Sequence, residues 1–589
     1  MVTERLKKLR EKMLQRNIDA YIIPTSDPHQ SEYVADYYKD REFISGFTGS
    51  AGTVVVTHKE AGLWTDGRYF IQAEKELQGS GIKLYKMGMP GTPSIYDFIN
   101  EKVSQFGKIG LNGLTYSYKN YLELRKNIGD KLVITDTDYI GEIWENRPGI
   151  PDSKAFVLED KYAGKSVINK LKELRKAMMS QGIDYHFIGA LDDICYLYNI
   201  RGRDVQYNPV LLSYSIVSQD EAFLFISNDK LDDEVKKHLA DNGVKVRGYN
   251  EVFNYLKSIK PRKYVYFDPE MTNLDIVNSV DANVRFIKGI NLTTFMKAIK
   301  NKVEIENQKN AYIKDGVALV KFFNWLETGV PTGVVTEMYA ASKLEDFRKE
   351  QELFMEPSFG TISAYGKNAA LPHYTPSEKN PVILKNKGLY LVDSGGQYLD
   401  GTTDTTRTIA LGELTEDEIK HYTLTLKSHI ALMTAKFQRG TKSSELDIIA
   451  RMPLWKEGLD FNHGTGHGVG FVLSCHEGPQ RISKAQNDID MEVGMITSDE
   501  PGIYVEGSHG IRIENIMVCV PWKENEFGEF LGFESLSVCP IDTKPVDKNL
   551  LEDWEVEWLN NYNQMCLEKL SPYLNEEERK YLEKITEVI

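Results

Sequence analysis

In the stretch DSGGQYLDGTTDTTRT, residues 393–408, the aspartates Asp393 and Asp404 stand 11 positions apart around a glycine-rich turn. Asp393 ends the apolar run LYLV, where an unpaired carboxylate would be costly to bury. The glycines between the two aspartates predict a hairpin that returns Asp404 beside Asp393. Neighbouring carboxylates in such an apolar setting are best explained by a bound metal ion.

Three more candidate ligands follow along the chain: His467 in HGTGHGVG, Glu500 in TSDEPGIY and Glu514 in GIRIEN. Four carboxylates and one imidazole, without a thiolate, suit a cation such as Mn²⁺ better than a structural zinc ion. Their ionised forms balance the charge of two divalent ions. A water that bridges two such ions loses a proton near neutral pH and becomes a nucleophile. We therefore expect a site for two divalent metal ions.

These motifs resemble, in order and spacing, those of the pita-bread metallopeptidases, and among them aminopeptidase P in its long three-domain form. The resemblance extends to the motifs GFTGSAGT, WTDGRYF, NIRGRDVQYNPV and HEGP, so it covers nearly the whole chain. It implies an α/β (α+β) fold, with two related creatinase-like α/β domains before a C-terminal pita-bread catalytic domain. It also implies hydrolysis of the N-terminal Xaa-Pro bond of peptides by a metal-activated bridging water or hydroxide.

The resemblance further implies roles for individual residues. The positions that match metal ligands are Asp393, Asp404, His467, Glu500 and Glu514, with Mn²⁺ as the expected ion and Zn²⁺ or Co²⁺ as alternatives. Glu500 also matches the general base. His373 and His463 match positions that border the proline site, and His476 matches a donor to the scissile carbonyl or the developing oxyanion. Phe359 and Arg512 match the proline pocket, and Arg68 matches a residue that reaches toward the far end of the substrate.

The order of elements predicts three domains: residues 1–148, 149–300 and 301–589. In each of the first two, a helix precedes a strand, a loop and two further strands, which indicates an internal duplication. Pro148, Gly149 and Pro151 mark the linker between them. A long helix over 302–326 opens the third domain, and two helices separated by Ser571–Pro572 end it.

Composition narrows the class of protein. The chain has 589 residues, 41% of them hydrophobic, and a formal net charge of −15, which argues against nucleic acid as the main partner. We expect neither a secretory signal nor a membrane span. The five cysteines lack CxxC spacing and are expected to be reduced thiols in a cytoplasmic protein. The expected partners are peptides with proline at the second position and a second copy of the chain.

Other protein families share much of this motif pattern. Prolidase has similar catalytic motifs but cleaves only dipeptides, and the duplicated N-terminal region favours aminopeptidase P over it. A non-catalytic pita-bread binding protein, or a creatinase-type hydrolase, would lack the metal ligands. A Cys475–His476 nucleophile pair is disfavoured, because adjacent strand residues point to opposite faces.

Overall fold

In the computed structural model, which describes residues 1–589, the first 148 residues form a six-stranded sheet flanked by helices. The strands are β1 (Ala20–Pro24), β2 (Thr53–Thr57), β3 (Ala61–Thr65), β4 (Lys83–Lys86), β5 (Lys108–Leu111) and β6 (Leu132–Ile134). The helices are α1 (Val2–Gln15), α2 (Asp40–Ser45), α3 (Phe70–Glu76), α4 (Ile95–Lys102), α5 (Tyr118–Asn127) and α6 (Tyr139–Ile143). Leu6, Leu9 and Met13 recur on one face of α1 and are buried in the core, as their spacing predicts.

The next segment repeats this plan. Its strands are β7 (Phe156–Val157), β8 (Tyr185–Ile188), β9 (Ile200–Arg201), β10 (Ser213–Ser218), β11 (Ala222–Ile226), β12 (Val244–Arg247), β13 (Tyr264–Phe267) and β14 (Arg285–Lys288). Its helices are α7 (Asp160–Ala163), α8 (Val167–Ser180), α9 (Leu191–Tyr198), α10 (Asp233–Asp241), α11 (Glu251–Lys257), α12 (Leu274–Asn278) and α13 (Leu292–Ala298).

The two sheets have the same topology. The first has the order β4-β3-β2-β1-β5-β6 and the second the order β12-β11-β10-β8-β13-β14. Corresponding neighbours pair in the same sense in both sheets. Strands β3, β2 and β1 pair antiparallel, as do β11, β10 and β8, and all the other neighbours pair parallel. The repetition of one α/β plan, expected from the order of elements, is therefore present in the structure.

The remainder of the chain carries the candidate ligands. Its helices are α14 (Lys302–Gly329), α15 (Glu337–Lys349), α16 (Glu416–Met433), α17 (Asp447–Trp455), α18 (Asp553–Leu570) and α19 (Glu576–Ile585). Its first strands are β15 (Phe354–Pro357), β16 (Ile362–Tyr365), β17 (Leu389–Ser394), β18 (Gly396–Tyr398), β19 (Gly401–Thr402), β20 (Thr405–Ala410) and β21 (Lys436–Gln438). The others are β22 (Gly466–Gly468), β23 (Glu477–Ile482), β24 (Ile496–Asp499), β25 (Gly502–Val505), β26 (His509–Arg512), β27 (Asn515–Asn525) and β28 (Gly528–Ser535).

Contacts divide the chain into two compact units: Met1–Leu158 with Lys165–Thr294, and Glu159–Gly164 with Phe295–Ile589. In the second unit, α14 begins at a capping box in which Asn301 and Glu304 exchange hydrogen bonds. The terminal helices α18 and α19 pack on the core formed by α14 and α16. No helix anywhere in the chain combines the length and the apolar character needed to cross a bilayer.

Candidate metal centre

Strand ends in the second unit place the predicted ligands. Asp393 lies in β17, Asp404 directly before β20, His467 in β22, Glu500 directly after β24, and Glu514 between β26 and β27. Strands β17 and β20 pair antiparallel, with Asp393 opposite Thr406, so the hairpin expected between the two aspartates is formed. Within Asp393–Asp404–Glu514, and again within His467–Glu500–Glu514, the ligand atoms lie within 4.8 Å of one another. The structure thus brings all five predicted ligands together.

Arg512 holds the first carboxylate. Its Nη2 donates to Oδ2 of Asp393 at 2.5 Å, its Nη1 to the hydroxyl of Tyr504 at 2.7 Å, and its Nε to Thr406 Oγ1 at 3.2 Å. Burial raises the pKa of Asp393, and the positive charge of Arg512 opposes that shift. Arg512, expected at the proline pocket, is therefore engaged with a candidate ligand.

Asp404 has two side-chain neighbours of different chemistry. The Sγ of Cys475 donates to Asp404 Oδ2 at 3.2 Å, and His467 Nε2 lies 3.5 Å from the same oxygen. Burial beside Asp404 raises the pKa of Cys475 well above its usual value, so this thiol stays protonated and is a poor nucleophile.

The pKa values of Glu514 and Glu500 are raised strongly above their ordinary values. Glu514 Oε2 accepts a hydrogen bond from Thr406 Oγ1 at 2.7 Å. Burial, and next the charge of Asp404, raise the pKa of Glu514 well above its ordinary value. Burial raises the pKa of Glu500 to about 7. Buried carboxylates so close together disfavour one another's ionised form, and a divalent cation among them would reverse that penalty.

Two further observations show that these residues fit divalent metal ions. Asp393 Oδ1 is buried and has no hydrogen-bond partner. His467 Nδ1 faces the carbonyl oxygen of Gly468 at 2.9 Å, which makes Nδ1 the protonated nitrogen. Its Nε2 then faces Asp404 and Glu500, each at 3.5 Å. A lone pair aimed at two carboxylates, with an orphaned carboxylate oxygen nearby, is the donor arrangement of a metal site.

Tyr504 links a predicted histidine to Arg512. Its hydroxyl accepts from Arg512 and lies 2.8 Å from His463 Nε2, so it donates its own proton to that nitrogen. The Nδ1 of His463 then donates to the carbonyl oxygen of Gly464 at 2.7 Å. These two hydrogen bonds fix the ring of His463. Its ring nitrogens are not among the grouped ligand atoms.

His476 lies against the predicted ligands. Its ring centroid is 4.4 Å from that of His467, and its ligand atom belongs to a group with those of Asp404 and His467. The buried ring of Phe359 lies 6.2 Å from that of His476. His373 is half-buried, and the carbonyl oxygen of the preceding Pro372 accepts from Arg512 Nη2 at 3.4 Å. His476 and Phe359 therefore border the same cluster, and His373 follows a residue that contacts Arg512.

Arg68 belongs to the first unit. Its Nε and Nη2 each donate to Asp66 at 2.8 Å, a bidentate pairing, and its guanidinium lies 5.3 Å from the ring of Tyr69. Its expected approach to the substrate remains a prediction.

The contacts that Cys475 and Tyr504 make at the site were not predicted from the sequence. The reason given for dismissing Cys475 was wrong: it lies in an irregular segment before β23, so both Cys475 and His476 reach Asp404. Its position next to a predicted site histidine was the available signal. Tyr504 had no such signal beyond its place in the motif DEPGIY, because a hydrogen bond to His463, 41 positions away, depends on the tertiary fold.

Models of known protein families match four consecutive parts of the chain. Residues 306–521 match the model of metallopeptidase family M24, and residues 529–589 match the C-terminal region of peptidase M24. Residues 5–145 and 146–304 each match a creatinase/prolidase N-terminal domain.

Three similar proteins align along nearly the whole chain. The probable Xaa-Pro aminopeptidase P of Coprinopsis cinerea is 39% identical over 98% of this chain and 96% of its own. Xaa-Pro aminopeptidase 1 of Dictyostelium discoideum is 39% identical over 97% and 94%. The crystal structure of X-prolyl aminopeptidase from Caenorhabditis elegans, described as a cytosolic enzyme with a di-nuclear active site, superposes with a TM-score of 0.94 at 36% identity, covering 100% of both chains.

The family resemblance and the fold class predicted from the motifs are thus confirmed. With two creatinase/prolidase N-terminal domains before a pita-bread catalytic domain, this chain belongs to metallopeptidase family M24, in its Xaa-Pro aminopeptidase P group.

Proposed function

We propose that this protein is an Xaa-Pro aminopeptidase that removes the first residue from peptides with proline at the second position. The observation that carries the proposal is the convergence of five metal-ligand candidates. This cluster occurs in a chain that is 39% identical, over 98% of its length, to a probable Xaa-Pro aminopeptidase P. A non-catalytic binding protein would have no need to keep such a costly group of buried carboxylates.

The residues fit a dinuclear metal site. Asp393 and Asp404 would hold one ion, and His467, Glu500 and Glu514 would complete the pair. Oxygen-rich donors favour Mn²⁺, with Zn²⁺ and Co²⁺ as alternatives. When bound, the ions supply Lewis-acid activation of a water and of the scissile carbonyl.

The chain's own side chains then handle protons and position the peptide. Glu500, which lies among the candidate ligands, would accept the proton of the attacking water and deliver it to the leaving proline nitrogen. His476 would donate to the carbonyl oxygen as negative charge develops on it. Phe359 supplies a buried apolar surface beside His476, where a proline ring could pack.

Specificity follows from the shape of the Xaa-Pro bond. It is a tertiary amide, and proline restricts the conformation of the residue before it. We assign the proline pocket to Phe359, His373, His463 and Arg512, the last acting also on Asp393. Peptides Xaa-Pro-Yaa should be cut between Xaa and Pro, and Xaa-Ala-Yaa far more slowly. Release of intact Xaa-Pro dipeptides, detected by mass spectrometry, would place the cleavage site elsewhere.

A dipeptidase of the prolidase type is the alternative activity. The alignment over the whole length of aminopeptidase P relatives, including the duplicated domains, favours the aminopeptidase. A time course on Arg-Pro-Pro-type peptides and on Xaa-Pro dipeptides, after chelation and with Mn²⁺ restored, separates the two. Faster cleavage of the longer peptides supports the aminopeptidase, whereas cleavage of dipeptides alone supports the prolidase.

We also propose that the protein is cytosolic, as the Caenorhabditis enzyme is described. We further propose that it forms a homodimer. Ile448, Met452 and Trp455 follow helical spacing on α17 and are 49%, 48% and 42% exposed, a single apolar face. The double variant Ile448→Glu/Met452→Glu should shift the mass in solution from dimer to monomer. The control is Phe527→Glu, at an exposed hairpin position, which should leave the mass unchanged.

Arg68 is proposed to act on the outer part of longer substrates. Arg68→Ala should then lower kcat/KM for tripeptides and longer chains more than for dipeptides, because a dipeptide ends before the outer subsites. Equal losses at both lengths, or no loss, would show that Arg68 does not sense chain length.

A further inference from the structure

Arg407, in β20, is fully buried and has only neutral acceptors around its guanidinium. Its Nε donates to the carbonyl oxygen of Pro540 at 2.9 Å, and its Nη1 to those of Thr406 at 2.8 Å and Glu514 at 2.6 Å. Its Nη2 donates to Asn515 Oδ1, Cys539 O and the hydroxyl of Tyr562, at 2.7, 2.6 and 3.1 Å. Burying a cation without a carboxylate partner costs free energy. We therefore attribute the role of Arg407 to its directed hydrogen bonds.

These bonds reach the main chain of a candidate metal ligand. The carbonyl group held by Nη1 belongs to Glu514, and the amide oxygen held by Nη2 belongs to the next residue, Asn515. Asn515 lies opposite Asp499 in the pairing of β24 with β27, and Asp499 directly precedes Glu500. The segment that Arg407 fixes therefore includes Glu514. It pairs with β24, and Glu500 directly follows that strand.

His429 closes the network from α16. Its Nε2 faces the side-chain amide of Asn515 at 3.1 Å, and its Nδ1 faces the main-chain carbonyl oxygen of Asp499 at 3.2 Å. One buried hydrogen-bonded group thus joins the residues next to Glu514 and Glu500. Hydrogen-bonded networks in a buried setting hold their members in one arrangement.

The C-terminal helix α18 enters the same network through Tyr562. The Tyr562 hydroxyl, which accepts from Arg407, lies 3.0 Å from the carbonyl oxygen of Cys539 and 3.1 Å from Asn515 Oδ1. Its ring stacks on Trp558, with centroids 5.3 Å apart. The helix therefore contributes a polar group that converges with Arg407 on the segment after Glu514, beyond covering the core.

We propose that Arg407 and Tyr562 are positioning residues for the metal centre, through which helix α18 sets the main chain at Glu514. The proposal rests on the dinuclear site of the proposed function. It gives the C-terminal helix a role in metal affinity and catalysis in addition to stability.

The test compares Tyr562→Phe with Tyr581→Phe in the full-length chain. Tyr581, on α19, packs on the same core without a hydrogen bond to this network. Mn²⁺ affinity is measured by calorimetry on the chelated protein, with thermal unfolding of the metal-free form and steady-state kinetics alongside. We expect Tyr562→Phe to weaken Mn²⁺ binding by about tenfold, as outer hydrogen-bond partners of metal ligands do, and to lower kcat more than it raises KM. Tyr581→Phe should leave both unchanged.

Arg407→Lys, which keeps the charge but loses the planar fork, should weaken Mn²⁺ binding further. If that variant does not fold, Tyr562→Phe still decides the matter. Unchanged Mn²⁺ affinity in Tyr562→Phe, with only a lower melting temperature, would overturn the inference alone. A wild-type protein that neither binds Mn²⁺ nor cleaves Xaa-Pro-Yaa would overturn the proposed function and this inference with it.

Discussion

The guanidinium of Arg512 donates a hydrogen bond to Asp393, and both side chains are buried beside the other candidate ligands. Arg512 is the cation that offsets part of the burial cost of Asp393. The hydroxyl of Tyr504 continues the chain from Arg512 to His463. One arginine thus connects a metal-ligand candidate to a histidine of the proposed proline site.

Arg512→Gln should therefore disturb metal binding as well as substrate binding. With the cation gone, Asp393 loses its orienting donor, and we expect the Mn²⁺ dissociation constant to rise by roughly 10- to 100-fold in calorimetric titration. Tyr504→Phe, which removes only the hydroxyl, should have a smaller effect. An unchanged dissociation constant in Arg512→Gln, with KM raised, would restrict Arg512 to the substrate pocket.

Asp404→Ala and Glu514→Ala should each abolish activity and reduce bound metal while leaving the fold largely intact. Both side chains are buried among other carboxylates, where a metal is the expected counter-charge. Asp400→Asn is the control, because Asp400 is also buried but pairs with Lys314 outside the cluster. Elemental analysis that finds the wild-type metal content in both alanine variants would remove these residues from the ligand set.

His476→Ala should lower kcat by about 10²–10³ with metal content nearly unchanged, since one donor to the developing oxyanion is lost. Kinetics and elemental analysis on the same preparation check both parts. Because the structure groups His476 with Asp404 and His467, loss of metal is the informative alternative and would make His476 a ligand. Full activity would leave it a purely structural role.

Acid should destabilise the N-terminal unit through His186. Burial lowers the pKa of His186 to about 4 in the folded state, where its Nε2 lies 3.2 Å from Asn291 Oδ1. Between pH 6.5 and 4 the unfolded chain therefore binds a proton at His186 that the folded chain does not bind. The contribution of His186 to the free energy of unfolding is fully present above pH 6.5 and decreases as the pH is lowered. At pH 5 the loss is about 2 kcal/mol. Denaturant unfolding of His186→Gln should show a smaller loss between pH 7 and 5 than wild type, and the exposed-site control His58→Gln an unchanged one.

Periodic segments were predictable from the sequence. The first helix, indicated by the spacing of Leu6, Leu9 and Met13, runs Val2–Gln15, and the long helix expected over 302–326 runs Lys302–Gly329. The expected terminal pair is formed, with its break at Ser571–Pro572. Apolar spacing and capping residues act locally, so they can be read without knowledge of the tertiary structure.

The hydrogen-bond partners of the ligands were not predictable in the same way. Arg407 reaches Glu514 and Tyr562 because antiparallel pairing and helix packing bring together residues more than 100 positions apart. Cys475 reaches Asp404 because its segment is irregular, and strand alternation predicts the opposite orientation. The grouping of the candidate ligands was predictable, because each carboxylate or histidine stands in a glycine-rich or apolar context where an unpaired polar group is costly.

The metal stoichiometry tests the central claim most directly. Chelated wild-type protein titrated with Mn²⁺ should bind two ions per chain, measured by calorimetry and elemental analysis. Hydrolysis of Xaa-Pro-Yaa should be absent without metal and reach its maximum as the second ion binds. Full activity in the chelated protein, or saturation at one ion per chain, would contradict a dinuclear site built by Asp393, Asp404, His467, Glu500 and Glu514.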